Sequence, residues 1–512
     1  MSEEDHSAAI PRLGLFFLLG GILIAAACAI VYELLIGSIS SYFMGDSVEQ
    51  FSLTIGFFLF AMGLGSWLSR LIQQNLLARF ISLEIWLGLV GGTSVAFLYI
   101  FYAYTDHYRY LMVVMVLLIG ILIGLEVPLL ARILRGYGPL RTTLSNVLSL
   151  DYLGSLVAAL LFPYLLLPLL GGLHTGLVAG LVNLGVGLGV LLSFRHQLDS
   201  RQRSSLYLQG GIVGAALLGL LAAANPLLER WESSLYEDRI VHSEQSPYQK
   251  IVLTRWRDDL RLFLNGHLQF ASRDQHRYHE SLVHPAMSLA SNRDRVLIIG
   301  GGDGLSASEV LKYKEVERID LVDLDRAVTD LARRSIYMTR LNKNALNQPK
   351  VHIFNQDAFI FLQQEHVPYG VIILDLPDPR EEALAKLYSV TGYNLCRRHL
   401  AKGGVLVTQA SSPYFVRQAY WCVGATLAAA GLQVVPYHTW IPSFGEWGFH
   451  LASVAPLDLS TLDLAVPLRY LEEGLFQHML EFDAEMAKIE VEPNRLDRPL
   501  LARFYRRGWS QW

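Results

Sequence analysis

"VLIIGGGDGLSASE", residues 296–309, carries four apolar residues straight into Gly300, Gly301 and Gly302, then Asp303 and Gly304, before a helix-compatible run resumes. Val296 to Ile299 has the length and unbroken apolar character of a strand buried on both faces. Glycine permits positive φ and lets backbone lie close to another group, so the stretch reads as a sharp strand-to-helix turn. Such turns hold nucleotides or nucleosides, and they also arise for packing alone. The glycines by themselves leave both readings open.

The surrounding sequence decides the fold class. "ERIDLVDLD" (317–325), "KVHIFNQD" (350–357), "YGVIILDLPD" (369–378) and "GGVLVTQA" (403–410) are further strand-like runs, interleaved with helix-like runs such as "ARRSIYMTRLN" (332–342). That alternation predicts a parallel sheet covered by helices: an α/β Rossmann-like, class I methyltransferase-like domain over residues 291–455. Ahead of it, residues 248–270 read as two strands and a short third, turning at Asn265-Gly266, so 226–290 is expected to be a linker and small β-strand domain. Residues 456–512 are polar and helix-prone, a helical C-terminal tail.

Residues 1–225 obey a different rule. The chain of 512 residues is 52% hydrophobic and 17% charged, too apolar for an ordinary soluble protein of that length. The excess lies here, in apolar blocks over 13–36, 51–68, 82–102, 110–131, 147–170, 173–194 and 206–224. Each is about the length a helix needs to cross the hydrocarbon of a bilayer. We expect a multi-pass transmembrane domain of about seven helices, the first retained rather than cleaved. Arginines gather in alternate loops (Arg70 and Arg79; Arg132, Arg135 and Arg141; Arg195, Arg201 and Arg203), with only Arg109 between them, which places the amino terminus inside. Seven spans then place the rest of the chain outside. A net charge of −4 with no basic block excludes a nucleic-acid partner. Three scattered cysteines, Cys28, Cys396 and Cys422, exclude a disulfide framework and a zinc site, and no metal is expected.

Carboxylates follow the strands of the second half. Asp323 ends the strand after the glycine turn, about twenty residues on, where an acidic side chain accepts both hydrogen bonds of a ribose diol. Gln356 with Asp357, and then Asp375, end the next two strands, at the edge where open α/β sheets bind ligands. For Asp325, before a helix, an N-cap is the better reading. Asp303 would repel phosphates, so the ligand is not a dinucleotide. A pocket ringed by Asp303, Asp375 and Asp378 suits an ammonium or sulfonium group, and the proline before Asp378 stiffens the loop that presents it.

These residues resemble the spermidine synthases, or polyamine aminopropyltransferases. The likeness covers roughly 240–455 through "SPYQKIVL", "LFLNGHLQF", "RDQHRYHESLVHPAM", "VLIIGGGDG", "LVDLDRAV", "NQDAFIFL", "VIILDLPDP" and "GGVLVTQA", in that order. The apolar first half is similar to the membrane-attached bacterial branch. The resemblance implies transfer of an aminopropyl group from decarboxylated S-adenosylmethionine to putrescine or a similar diamine, giving spermidine and methylthioadenosine, with no tightly bound cofactor. It implies donor contacts from Gln249, Gln269, Gly300 and Gly302, a ribose contact from Asp323, and adenine contacts from Asp357 and Ala358. Tyr278, His279, Asp303 and Asp375 would border the amine and aminopropyl groups, Gln409 the amine channel, and Asp378 would be the general base. The sequence departs from the family pattern in "DPREEALAKLYS", in Ala358 for a glycine, in Ser411 for a glutamate, and in "WIPSFGEWG", which lacks a tyrosine expected in the amine channel. His276, His284 and Tyr388 read as surface or core residues.

The other expected partners are the lipid bilayer and, as an open expectation, a second copy of the chain. An inner-membrane location follows. The donor is made in the cytosol, which asks for a cytosolic catalytic domain against the arginine bias. Glu33, Glu84, Glu126 and Asp151 fall in or at the ends of the spans. They read either as a cation path or, preferably, as helix-to-helix hydrogen bonding. The alternative functions are an S-adenosylmethionine-dependent methyltransferase and a non-enzymatic polyamine sensor or transporter.

Overall fold

The computed structural model of the chain describes residues 12–44, 47–105, 107–135, 140–380 and 382–511. It divides into two units, Met1–Glu237 and Asp238–Trp512. Unit one is helical: α1 (Arg12–Met44), α2 (Ser47–Leu68), α3 (Leu76–Tyr104), α4 (Tyr108–Leu134), α5 (Leu140–Leu161), α6 (Leu167–Ser193) and α7 (Ser200–Leu235). Six helical stretches among the described residues are long and apolar enough to cross a membrane, with Leu144–Ser193 running on as one of 50 residues. The sequence reading separates that stretch into two spans, and the contacts show why the length is too great for one. Gly171 has φ 71° and ψ 173°, which breaks the helix. Before it the chain lies against α1, with Gly154 beside Leu23; after it the chain runs back along α1, with Gly172 against Ile39, Gly176 against Leu35 and Val186 against Gly21. The stretch is a hairpin of two limbs.

Glycine sets the closeness of these helices. An added Cβ at Gly88 would lie 2.7 Å from Gly180 O, at Gly124 2.1 Å from Met62 O, and at Gly154 2.1 Å from Leu23 O. Backbone therefore touches backbone, as helices pack where no apolar driving force separates core from surroundings. Outward faces stay apolar, with Phe60, Leu59, Trp67 and Leu169 exposed. The sequence reading ends this region at residue 225, but α7 runs through Pro226 to Leu235. A proline costs a long helix one hydrogen bond and a kink without ending it.

Unit two opens with an antiparallel sheet of four strands, β1 (Arg239–Gln245), β2 (Lys250–Trp256), β3 (Asp259–Leu264) and β4 (His267–Ala271), one more than the sequence pattern shows. β1 is polar and mostly exposed, which hides it from a hydrophobic pattern. Helix α8 (Gln275–Leu289) leads to β5 (Arg295–Gly300), β6 (Arg318–Val322), β7 (Val351–Phe354), β8 (Tyr369–Asp375), β9 (Leu400–Gln409), β10 (Gln433–Ile441) and β11 (Gly445–Ser453). They form one sheet in the order β10-β11-β9-β8-β5-β6-β7. β5 through β9 pair in parallel, and β11 inserts antiparallel between β9 and β10. This is the Rossmann-like, class I methyltransferase-like architecture. Alternate residues of β5 feed two cores: Val296 and Ile298 on the face that carries α8, Leu297 and Ile299 on the other. Beyond residue 456 the expected helical tail is mainly irregular, with helices only at Glu473–Met479 and Leu500–Trp509 besides one 3-10 turn. Pro456, Pro467, Pro493 and Pro499 punctuate it and prevent a longer helix.

Candidate active site

The order of the sheet reverses at β5, with β6 on one side and β8 on the other, so the crevice at their carboxyl ends is the natural binding edge. Register puts Gly300 beside Asp375. Gly301 N donates to Asp375 O at 2.9 Å. Gly300 has φ 82°, and an added Cβ there would meet Asp375 O at 2.1 Å, so only glycine lets the turn pass so close to β8. At Gly302 the same atom would come 2.4 Å from Asp323 Oδ2.

Asp323 accepts from Gly302 N at 3.0 Å on one oxygen and from Asp325 N at 2.9 Å on the other. Each oxygen keeps a further lone pair able to accept a hydrogen bond. Burial pushes its carboxyl up to about 6, with the two backbone donors opposing. Asp303 accepts from Leu305 N at 2.8 Å. Burial raises its carboxyl too, His279 opposes and the Asp375 charge adds.

Asp375 is held on both oxygens: the Tyr278 hydroxyl donates to Oδ1 at 2.9 Å and Ser306 Oγ to Oδ2 at 2.6 Å. Burial, then the Asp375 charge, keeps the Tyr278 phenol protonated. His279 Nδ1 lies 2.8 Å from Gln275 O, and its Nε2 lies 3.9 Å from Asp375. Asp378 differs. Its Oδ2 accepts from the Tyr505 hydroxyl at 2.7 Å, while Oδ1 is enclosed with no hydrogen bond of good geometry. Burial raises the Asp378 carboxyl above its ordinary value; Arg380, Tyr505, Ser411 and Gln409 hold it back.

The structure thus brings Tyr278, His279, Asp303, Asp323, Asp375 and Asp378 together around the glycine turn. Other expected contacts are engaged with the protein itself. Gln249 Nε2 donates to Asp325 Oδ2 at 3.0 Å, and Asp325 caps its helix through Ala327 N. Gln269 Nε2 donates to His267 O at 3.1 Å. Asp357 caps the helix Ala358–Phe361 through Phe359 N and pairs with Lys386; burial works against its charge, but these partners bring its carboxyl below the ordinary value. Ala358 is buried as the first residue of that helix. Gln409 bonds through its amide to Leu376 O (2.8 Å), the Tyr388 hydroxyl (2.7 Å) and Ser411 N (2.9 Å), bracing the Asp378 loop. Tyr388 is buried there too and donates to Pro377 O at 3.2 Å.

Three further residues escape the sequence reading. Ser306 stands in the opening stretch, unremarked because serine at a helix start is common. Arg380 follows Pro379, and its guanidinium lies 5.4 Å from the centre of the Tyr505 ring. Tyr505 comes from the helix Leu500–Trp509, 127 residues from its partner, and no spacing rule connects them. Among the described residues no group of three His, Cys, Asp or Glu side chains could hold a metal. The chemistry of the site is that of an anionic pocket in which Asp378 is the least firmly held of the buried carboxylates.

A family model described as "Spermine/spermidine synthase domain" matches residues 275–462. Polyamine aminopropyltransferase 2 of Ralstonia nicotianae is 44% identical over 494 residues, 95% of this chain and 97% of that protein. The polyamine aminopropyltransferase of Leptospira interrogans is 42% identical over 493 residues, 96% of this chain and 98% of that protein. Spermidine synthase from Thermotoga maritima, a solved structure, aligns with a TM-score of 0.44 at 22% identity, covering 54% of this chain and 88% of that one.

Proposed function

The chain belongs to the spermine/spermidine synthase family and is an aminopropyltransferase; from that premise we propose that it moves the aminopropyl group of decarboxylated S-adenosylmethionine to putrescine or a similar diamine. The observation that supports this reading is the buried carboxylate of Asp378, one oxygen of which accepts no hydrogen bond of good geometry, in a ring of carboxylates beside the glycine turn.

The donor's adenosine lies against the turn, with its ribose diol on the remaining lone pairs of Asp323. Its sulfonium and the acceptor's ammonium groups are drawn by Asp303, Asp375 and Asp378. An alkylamine is almost wholly protonated at neutral pH and then has no lone pair. Asp378 Oδ1 takes a proton from the reacting nitrogen. The freed lone pair forms the new carbon–nitrogen bond as the carbon–sulfur bond breaks toward the sulfonium, which leaves as a neutral thioether. The leaving group therefore needs no acid. A carboxyl raised by burial is a better base than an ordinary one, because its affinity for the proton lies closer to that of the working solution. Asp375, fixed by Tyr278 and Ser306, orients the ammonium, and alignment of two bound reactants lowers the barrier further. Asp357, paired with Lys386, borders the adenine edge, and Gln249 and Gln269 line the donor side through their carbonyl oxygens.

The apolar helices of unit one support a multi-pass membrane anchor. We place unit two in the cytosol, where the donor is made. Incubating the detergent-purified chain with decarboxylated S-adenosylmethionine and a panel of diamines, and following methylthioadenosine, tests the reaction. Release that depends on a diamine is expected, and release with none of them rejects the assignment.

A further inference from the structure

The interior of unit one holds polar groups that the transfer reaction does not use. Tyr32 on α1, Glu84 on α3 and Asn183 on α6 are fully buried, and Glu126 on α4 is 3% exposed. Asn183 Nδ2 donates to Glu84 O and to Glu84 Oε2, both at 2.9 Å. Tyr32 and Glu126 lie within electrostatic reach of Glu84. Glycine admits these side chains to the interior: an added Cβ at Gly91 would stand 2.5 Å from the Tyr32 ring, and one at Gly187 3.1 Å from Glu84 Cβ.

A hydrogen bond that merely joins helices would satisfy its partners. Here Glu84 Oε1, Glu126 Oε1, Asn183 Oδ1 and the Tyr32 hydroxyl are all enclosed with no hydrogen-bond partner. Each of the four can accept a hydrogen bond, the Tyr32 hydroxyl can donate one as well, and an unmatched buried polar atom costs free energy. The missing component is a donor that carries positive charge. Arg132, the nearest arginine along α4, spends its guanidinium on Ile72 O and Ser69 O. Calcium or magnesium takes six or more oxygens, and no group of three His, Cys, Asp or Glu side chains suited to a metal occurs among the described residues. An alkylammonium brings three N–H donors to each end of a diamine, and an ammonium bound beside each carboxyl would hold it ionised.

We propose that Glu84, Glu126, Tyr32 and Asn183 form a second amine site, inside the helical bundle, that takes a protonated alkyl diamine. The choice of ligand rests on the reaction proposed above.

The test is equilibrium binding of radiolabelled putrescine to the full chain in nanodiscs, without donor. Two sites per chain are expected. Glu84→Gln with Glu126→Gln should remove one and leave transfer activity within about twofold; Asp375→Asn with Asp378→Asn should remove the other. A single site that survives Glu84→Gln/Glu126→Gln and vanishes with Asp375→Asn/Asp378→Asn overturns this inference and leaves the reaction intact. The reverse pattern, with transfer unaffected by the aspartate changes, removes the reaction instead. A bundle site that takes sodium and not putrescine also overturns the inference. Should the double glutamine variant fail to fold, Tyr32→Phe serves: about tenfold weaker binding at one site is expected from loss of a hydrogen bond to a charged group, and unchanged affinity at both sites refutes it.

Discussion

Asp375 and Asp378 stand three residues apart, yet the fold treats their carboxylates differently. Both oxygens of Asp375 accept hydrogen bonds, whereas one oxygen of Asp378 accepts none of good geometry. Loss of a general base costs roughly 10²- to 10⁴-fold in rate, so Asp378→Asn should lower kcat by that amount with little change in donor affinity. Asp375→Asn should act chiefly on the KM for the amine. If stopped-flow measurements gave the opposite split, the proton acceptor would be Asp375. The sign of the pH effect follows from burial. A carboxyl raised in the folded state favours its neutral form there, so the stability it contributes is present at low pH and lost as pH rises through the folded value. At neutral pH Asp378→Asn should therefore leave Tm unchanged or higher. Activity has the opposite sign: kcat/KM rises with pH as Asp378 ionises. Tyr505→Phe removes a hydrogen bond that favours the ionised form, so the acid limb of the profile should move to higher pH. A purely packing role for Tyr505 would leave that limb where it is. Asp323, Asp303 and Asp375 are legible in the sequence because each sits at a strand end or in the glycine turn. Tyr505 is not, since only tertiary folding brings it to the loop.

At the scale of elements, the glycine turn is the most demanding local structure. Gly300→Ala adds a Cβ at positive φ and drives it to 2.1 Å from Asp375 O. Either effect costs about 1–3 kcal/mol. The expected result is a lower Tm for the transition of unit two together with loss of donor binding by calorimetry; wild-type donor affinity would show that the turn is not the nucleoside floor. β5 through β9 were readable because strands buried on both faces are unbroken apolar runs. β1 was not, because its residues are polar and it lies at the edge of a small sheet. The antiparallel insertion of β11 also escaped the pattern: alternation of strand and helix implies parallel pairing, and nothing local says that the last hairpin folds back between β9 and β10. The long apolar helices were visible from length and apolarity alone, but the break inside α6 is a backbone property of Gly171.

For the whole molecule, the direction of each helix decides which face of a membrane receives unit two. α5 runs with α1 and α6 against it. α7 runs with α3, since Gln209 meets Ser82 and Trp231 stacks near Tyr99. α7 also runs against α6, with Gly210 beside Leu188 and Gly214 beside Leu184. Helices α1, α3, α5 and α7 therefore share one direction, so α1 begins and α7 ends on opposite faces of the bundle. The arginine bias would then export unit two. Some of those arginines have structural work that dilutes their weight as topological signals: Arg132 donates to Ile72 O and Ser69 O, both at 2.8 Å, closing the end of α2, and Arg70 lies 3.8 Å over the Trp67 ring. The donor is a sulfonium that does not cross hydrocarbon unaided, and an exported transferase unit would be cut off from it. A fluorescent reporter fused after Trp512 should accordingly report a cytosolic carboxyl end, and a phosphatase fused before α1 an exported amino end. Phosphatase activity from the carboxyl-terminal fusion would place the site outside and require a supply of donor there.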